Sequence, residues 1–80
     1  MFYVYLIQSE SSPDRRYVGF TTDLKARIKT HNAGGSVHTA KYKPWCLVSY
    51  HAFSDKRTAQ EFEHYLKSAS GRAFANKRFW

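Results

Sequence analysis

The sequence has 80 residues, room for one domain with one core, and a chain this short buries only roughly 60% of the surface that its unfolded form exposes. Lys and Arg total 13 against 6 Asp and Glu, a formal charge of +7, which points to a polyanionic partner, nucleic acid first. The single cysteine, Cys46, excludes an intramolecular disulfide and fits a reducing compartment, no apolar run is long enough to cross a bilayer, and FYVYLIQ carries neither a basic leader nor a cleavage site, so the chain reads as cytoplasmic.

Residues 2–8 are rich in aromatic and β-branched types and predict a strand. Both of its alternating sets, Phe2/Val4/Leu6 and Tyr3/Tyr5/Ile7, are apolar or aromatic, so the strand is expected to be covered on both faces. SESSPD supplies turn chemistry. RYVGF, from Arg16 to Phe20, then runs back as the second strand of an antiparallel hairpin. Thr21 or Thr22 is expected to cap a helix with Asp23 in its first turn, and that helix ends near Asn32, where AGG follows. Residues up to Lys43 read as a polar, basic loop that Pro44 closes. WCLVSYHAF, residues 45–53, predicts a third strand, in which Cys46 is expected to pack inward. Ser54 or Asp55 caps a second helix reaching about Lys67. Ser70-Gly71 punctuates, and residues 72–80 form a short last helix. The order ββαβα(α) predicts a single α+β domain over 1–80, a three-stranded, mainly antiparallel sheet with helices packed on it.

The helices place charges where apolar residues are expected. A helix buries positions i, i+3, i+4 and i+7. In the first helix that set is Leu24, Arg27, Ile28 and His31; in the second it is Ala59, Phe62, Glu63 and Leu66. Glu61 lies about 200° around the helix from Glu63 and points to solvent. Burying a charge is costly unless it is paired or holds a metal. One reading is a plain Arg27–Glu63 salt bridge under the sheet. The other is a cleft joining a carboxylate for a divalent cation, a guanidinium for phosphate charge and an imidazole for proton transfer, as phosphodiester hydrolysis uses. Tyr5 and Tyr17, on facing strands, add phenols that can bond a water or a phosphate oxygen. His31, His38, His51, His64 and Cys46 form no CxxC or HxxxH pair, so no structural zinc site is expected.

Tyr3-Val4-Tyr5, Tyr17-Val18-Gly19, Arg27, His31-Asn32, Pro44-Trp45, Leu47-Val48 and the spacing Ala59, Glu63, Lys67 together resemble the GIY-YIG nucleases, above all their small stand-alone members. The most specific stretch is YVGFTxDLxxRIxxHNxG. Tyr3 replaces the first Gly of the family's name motif, and Val replaces Ile at 4 and 18. The resemblance implies a metal-dependent endonuclease with Glu63 as ligand to one Mg²⁺ or Mn²⁺ and Arg27 stabilising the pentavalent phosphate. Tyr5 or Tyr17 would orient or deprotonate the attacking water. A phenol of ordinary pKa, about 10, is a poor base at neutral pH, so the metal or Arg27 must lower it, or the Tyr only positions the water. His31 would assist proton transfer or bind phosphate. Lys67 and Asn76 are candidates for support, Asn76 by its distance from Glu63. Arg15, Arg16, His38, Lys41 and Lys43 are candidates for backbone contact, or are solvated loop. The substrate class is nucleic acid, DNA first, with weak sequence specificity unless a protein partner supplies it. The alternative from another class is a basic nucleic-acid-binding module on the same fold without catalysis. Glu63 argues against it, since beside a phosphate that carboxylate repels the ligand unless a cation lies between.

Overall fold

The computed structural model describes residues 1–80. Strands β1 (Phe2–Ser9), β2 (Arg16–Thr21) and β3 (Trp45–Phe53) form one antiparallel sheet in the order β2-β1-β3. β1 is the centre strand, which accounts for its two apolar sets. Val4, Tyr5, Leu6 and Ile7 are all buried. The helices are α1 (Leu24–Asn32), α2 (Val37–Ala40), α3 (Lys56–Lys67) and α4 (Ala69–Arg78).

The two faces of β1 own separate cores. Val4 and Leu6 pack with Ala59, Leu66 and Ala75, so α3 and α4 cover that face. Tyr5 and Ile7 pack with Trp45, Leu24 and Ile28, so α1 covers the other. His51 of β3 is wedged between Phe62 and Phe79 on the α3/α4 face, with ring centroids 5.3 and 4.7 Å away. Its Nε2 is buried without a hydrogen-bond partner.

Four local expectations change. Asp23 is itself the cap of α1, because the helix starts at Leu24 and the carboxylate accepts from Ala26 N at 3.1 Å. Thr21 instead braces Asp23, accepting from its N–H at 3.1 Å. The stretch expected as loop holds α2, a single turn too short to display a period, which buries Thr39. The last helix begins at Ala69 and runs through Ser70 and Gly71. Ser68 ends α3 and caps α4, donating to Tyr65 O at 2.6 Å and accepting from Gly71 N at 3.2 Å. The helices fold back so tightly there that a Cβ on residue 71 would run into the Tyr65 carbonyl, so this glycine allows close approach rather than marking a break. Cys46, finally, is exposed. It pairs with Gln8 at the far end of the sheet, past the cover that α3 and α4 give to Val4 and Leu6.

Candidate active site

The site is built around Tyr5. Its register partner in β2 is Gly19, and a Cβ there would overlap the Tyr5 phenol. The glycine is thus a slot that lets the ring lie across β2. At the end of the ring the hydroxyl meets His31 Nε2 at 2.7 Å and receives Arg27 Nε at 3.3 Å. His31 Nδ1 lies 2.6 Å from Thr39 Oγ1, which reaches Ser36 O at 3.5 Å. One proton assignment satisfies this chain. Arg27 can only donate, so the Tyr5 oxygen accepts from it and sends its own proton to Nε2. The neutral ring then carries its proton on Nδ1 and donates to Thr39, whose hydroxyl turns to Ser36 O. Tyr5 and His31 are 1% and 0% exposed, so the chain is sealed from solvent.

Three predicted site residues remain accessible. Arg27 and Tyr17 are half-buried, and the Tyr17 ring lies 5.3 Å from His31 and 6.4 Å from Tyr5. Glu63, on α3, reaches the β2 edge from the opposite layer, its side chain 18% exposed. The buried Arg27–Glu63 pair does not form. Glu63 Oε2 instead accepts from Lys67 Nζ at 2.8 Å, one turn on, and Lys67 also stands 5.7 Å over the Tyr17 ring. Within the two stripes Ala59, Leu66 and His31 are buried, Leu24, Arg27, Ile28, Phe62 and Glu63 are half-buried, and Glu61, off the stripe, is exposed.

Electrostatics act against ionisation of the Tyr5 phenol. Burial pushes the Tyr5 phenol above its usual range, outweighing Arg27, and the Tyr17 and Glu63 charges push the same way. Arg27 alone does not supply the lowering that a Tyr5 base needs. Burial, then Arg27, pushes His31 below the usual histidine range, so the ring stays neutral. Of the two roles that the resemblance implies for His31, direct phosphate binding is closed to a ring that is 0% exposed. His51 is likewise lowered by burial. Both shifts have one consequence for stability. As pH falls below about 6.5, the unfolded chain takes protons on these rings that the folded chain does not. Stability is therefore full above that pH and is lost as pH falls towards the folded values, by at most about 1.4 kcal/mol per pH unit for each ring. Urea midpoints measured at pH values above and below 6.5 should show this loss, and His51→Leu should remove part of it. A pH-independent midpoint would contradict it.

The basic candidates divide. Arg15 and Lys41 flank the Tyr42 ring at 4.8 and 5.8 Å, with exposed Lys43 adjacent and exposed His38 on α2. Arg16 points elsewhere, 5.0 Å over Trp80 and donating to Asn76 Oδ1 at 3.1 Å. Asn76 therefore braces Arg16 and not Glu63. Asn32 clamps the start of β3 through both backbone groups of Trp45, whose indole N–H donates to Thr39 O at 2.8 Å. Thr39, which the sequence places in a basic loop, and Gly19, which it shows only as part of a motif, take structural roles in the site that the sequence does not reveal. No three His, Cys, Asp or Glu side chains gather to hold a metal. Glu63 offers one carboxylate, with one oxygen on Lys67 and the other making no hydrogen bond. That donor set suits a hard cation that keeps most of its water and shares a substrate phosphate, as Mg²⁺ does, and not a protein cage.

A family model described as the GIY-YIG catalytic domain matches residues 1–78. The chain is 45% identical over 67 residues to a UPF0213 protein of Lacticaseibacillus paracasei, spanning 82% of this chain and 71% of that one. It is 41% identical over 66 residues to a structure-specific endonuclease subunit SLX1 homolog of Giardia intestinalis, spanning 78% of this chain and 18% of that protein. Against the SLX1 subunit of Candida dubliniensis the figures are 40% over 73 residues, 82% and 26%. The chain thus corresponds to a minor part of those two subunits. The solution NMR structure of a UPF0213 protein from Bacillus halodurans superposes with a TM-score of 0.56 at 32% identity, covering 96% of this chain and 84% of that one.

Proposed function

The chain belongs to the GIY-YIG nuclease family, and from that premise we propose that it is a divalent-metal-dependent endonuclease hydrolysing phosphodiester bonds in nucleic acid, DNA first, with low sequence specificity. The observation that carries this reading is the division of the site into a sealed base and an open top. Beneath lies the Tyr5–His31–Thr39 chain; half-buried Arg27, anchored on Tyr5, and half-buried Tyr17 lie above it, and Glu63 reaches the same β2 edge from the other face of the sheet.

Each open group has a chemistry. Arg27 meets the phosphate, where one well-placed donor is worth on the order of 10²–10³ in rate. Tyr17 hydrogen-bonds the attacking water and aligns it. Glu63, steered by Lys67, would hold Mg²⁺ or Mn²⁺ together with water and the phosphate. Bound there, the ion offsets charge developing on the phosphate and its leaving oxygen. Tyr5, His31 and Thr39 are positioning residues: they fix the angle at which Arg27 leaves α1. The SLX1 relatives are named as subunits, and a protein partner is the proposed source of any specificity.

The test is a cleavage assay on duplex, branched and single-stranded DNA and RNA, in Mg²⁺, in Mn²⁺ and in EDTA. Cleavage that EDTA abolishes is the expected result. Tight binding with no cleavage of any substrate would instead make the protein a basic binding module. Binding itself should be salt-dependent. With about four to six phosphates contacted on duplex DNA, log K should fall against log salt with a slope of roughly −0.9 per contact. Affinity indifferent to salt would refute an electrostatic footprint from Arg15, Lys41 and Lys43.

A further inference from the structure

A half-open cavity of about 400 Å³ lies between β2 and α4, and Lys67, the ion-pair partner of Glu63, forms part of its wall. Its walls include Arg16, Tyr17, Lys67, Arg72, Asn76 and Trp80. We propose that this cavity receives one unpaired nucleotide of the substrate strand, beside the phosphodiester that is cut. The proposal rests on the endonuclease reading above and adds a substrate class to it: duplexes carrying a single-stranded tail or branch are preferred over blunt ones.

Three observations support it. The volume falls in the range of sites that enclose a small molecule, about 300–1,000 Å³. The lining charge is unbalanced, with Arg16, Lys67 and Arg72 against Asp14 alone, which suits a nucleotide's phosphate. The cavity is also pre-organised. Arg16 is stacked 5.0 Å over Trp80 and held by Asn76 at 3.1 Å. A long, flexible side chain is thereby fixed as a flat cationic surface before any ligand arrives, and unpaired bases stack on guanidinium and aromatic planes. Trp80 also packs against the Val4/Leu6 core, so the ring is fixed from below, while Arg16 and Asn76 are exposed and free to meet a ligand. Tyr17 and Lys67 are shared between the cavity and the site, so a nucleotide held here places its neighbouring phosphate towards Arg27 and Glu63.

A stacked base in such a groove is worth about tenfold or more in affinity. Wild-type protein in EDTA, titrated with a blunt duplex and with the same duplex carrying a short oligothymidine tail, should bind the tailed form about tenfold more tightly. The tail should also quench tryptophan fluorescence through Trp80, since Trp45 is 5% exposed. Arg72→Glu, at an exposed position on α4, and Arg16→Gln should each bring the tailed-to-blunt ratio close to one, with far-ultraviolet circular dichroism confirming the fold. Equal binding of the two duplexes by wild type, or a preference that survives both substitutions, overturns the proposal. A protein that cleaves yet binds both duplexes equally refutes the cavity alone. One that prefers the tail through Arg16 and Arg72 but never cleaves refutes the endonuclease reading alone.

Discussion

Glu63→Gln is expected to fold, to bind DNA at least as well as wild type, and to cleave it at a rate reduced by roughly 10³-fold or more. The substitution keeps the side chain's shape and removes the one carboxylate that α3 carries at the β2 edge. Its ion-pair partner, Lys67, is 48% exposed and returns to solvent at a cost of about 0–1 kcal/mol, the usual value of an exposed pair. Loss of the carboxylate also removes repulsion of the incoming phosphate, which is why affinity should hold or rise while turnover falls. Glu61→Gln is the internal control. It lies on the same helix, two residues away and exposed, and should cleave normally. If both variants cleave like wild type in Mg²⁺, Glu63 does not hold the ion and the assignment of the open site fails.

The two glutamates also show what was legible in the sequence. Helical periodicity separates them with no other information, and the structure places Glu63 inward and Glu61 outward. The same periodicity brings Arg27 and His31 to one face of α1. The centre strand is readable because both its alternating sets are apolar, a pattern that only a strand with two neighbours and two covering layers needs. What the sequence does not yield is the depth of each group. Arg27 and His31 occupy one stripe, yet His31 is sealed while Arg27 is open. The difference is made by Thr39, on a single-turn helix too short to leave a periodic trace. Nor does the sequence distinguish a glycine that breaks an element from one that admits a neighbour. Gly71 sits inside α4 and Gly19 inside β2, each because a backbone or side chain elsewhere needs the space of a Cβ. The plain Arg27–Glu63 salt bridge, one of the two readings of the stripes, fails for a related reason. α1 and α3 lie on opposite faces of the sheet, and face assignment is a property of chain topology that a helical stripe does not encode.

That difference in depth separates the two tyrosines. Tyr17→Phe should lower kcat by roughly 10²-fold, the usual cost of a misaligned reacting group, with KM and folding stability nearly unchanged. Its ring is half-buried at the open edge, and its hydroxyl makes no hydrogen bond within the protein, so the fold loses little when the oxygen is removed. Tyr5→Phe should behave in the opposite way. Its oxygen joins Arg27 to His31 in a sealed space, and removing it leaves His31 Nε2 buried without a partner, a loss of about 1–3 kcal/mol in stability. Turnover should then fall only as far as Arg27 drifts from its angle, and KM should rise with it, because a loosened guanidinium also binds the ground-state phosphate less well. Urea denaturation beside steady-state kinetics on the two variants measures both axes. The assignment made here requires the larger kinetic loss in Tyr17→Phe and the larger stability loss in Tyr5→Phe. The reverse pattern would mean that Tyr5 becomes accessible when nucleic acid binds, and that the sealed base is a feature of the free protein alone.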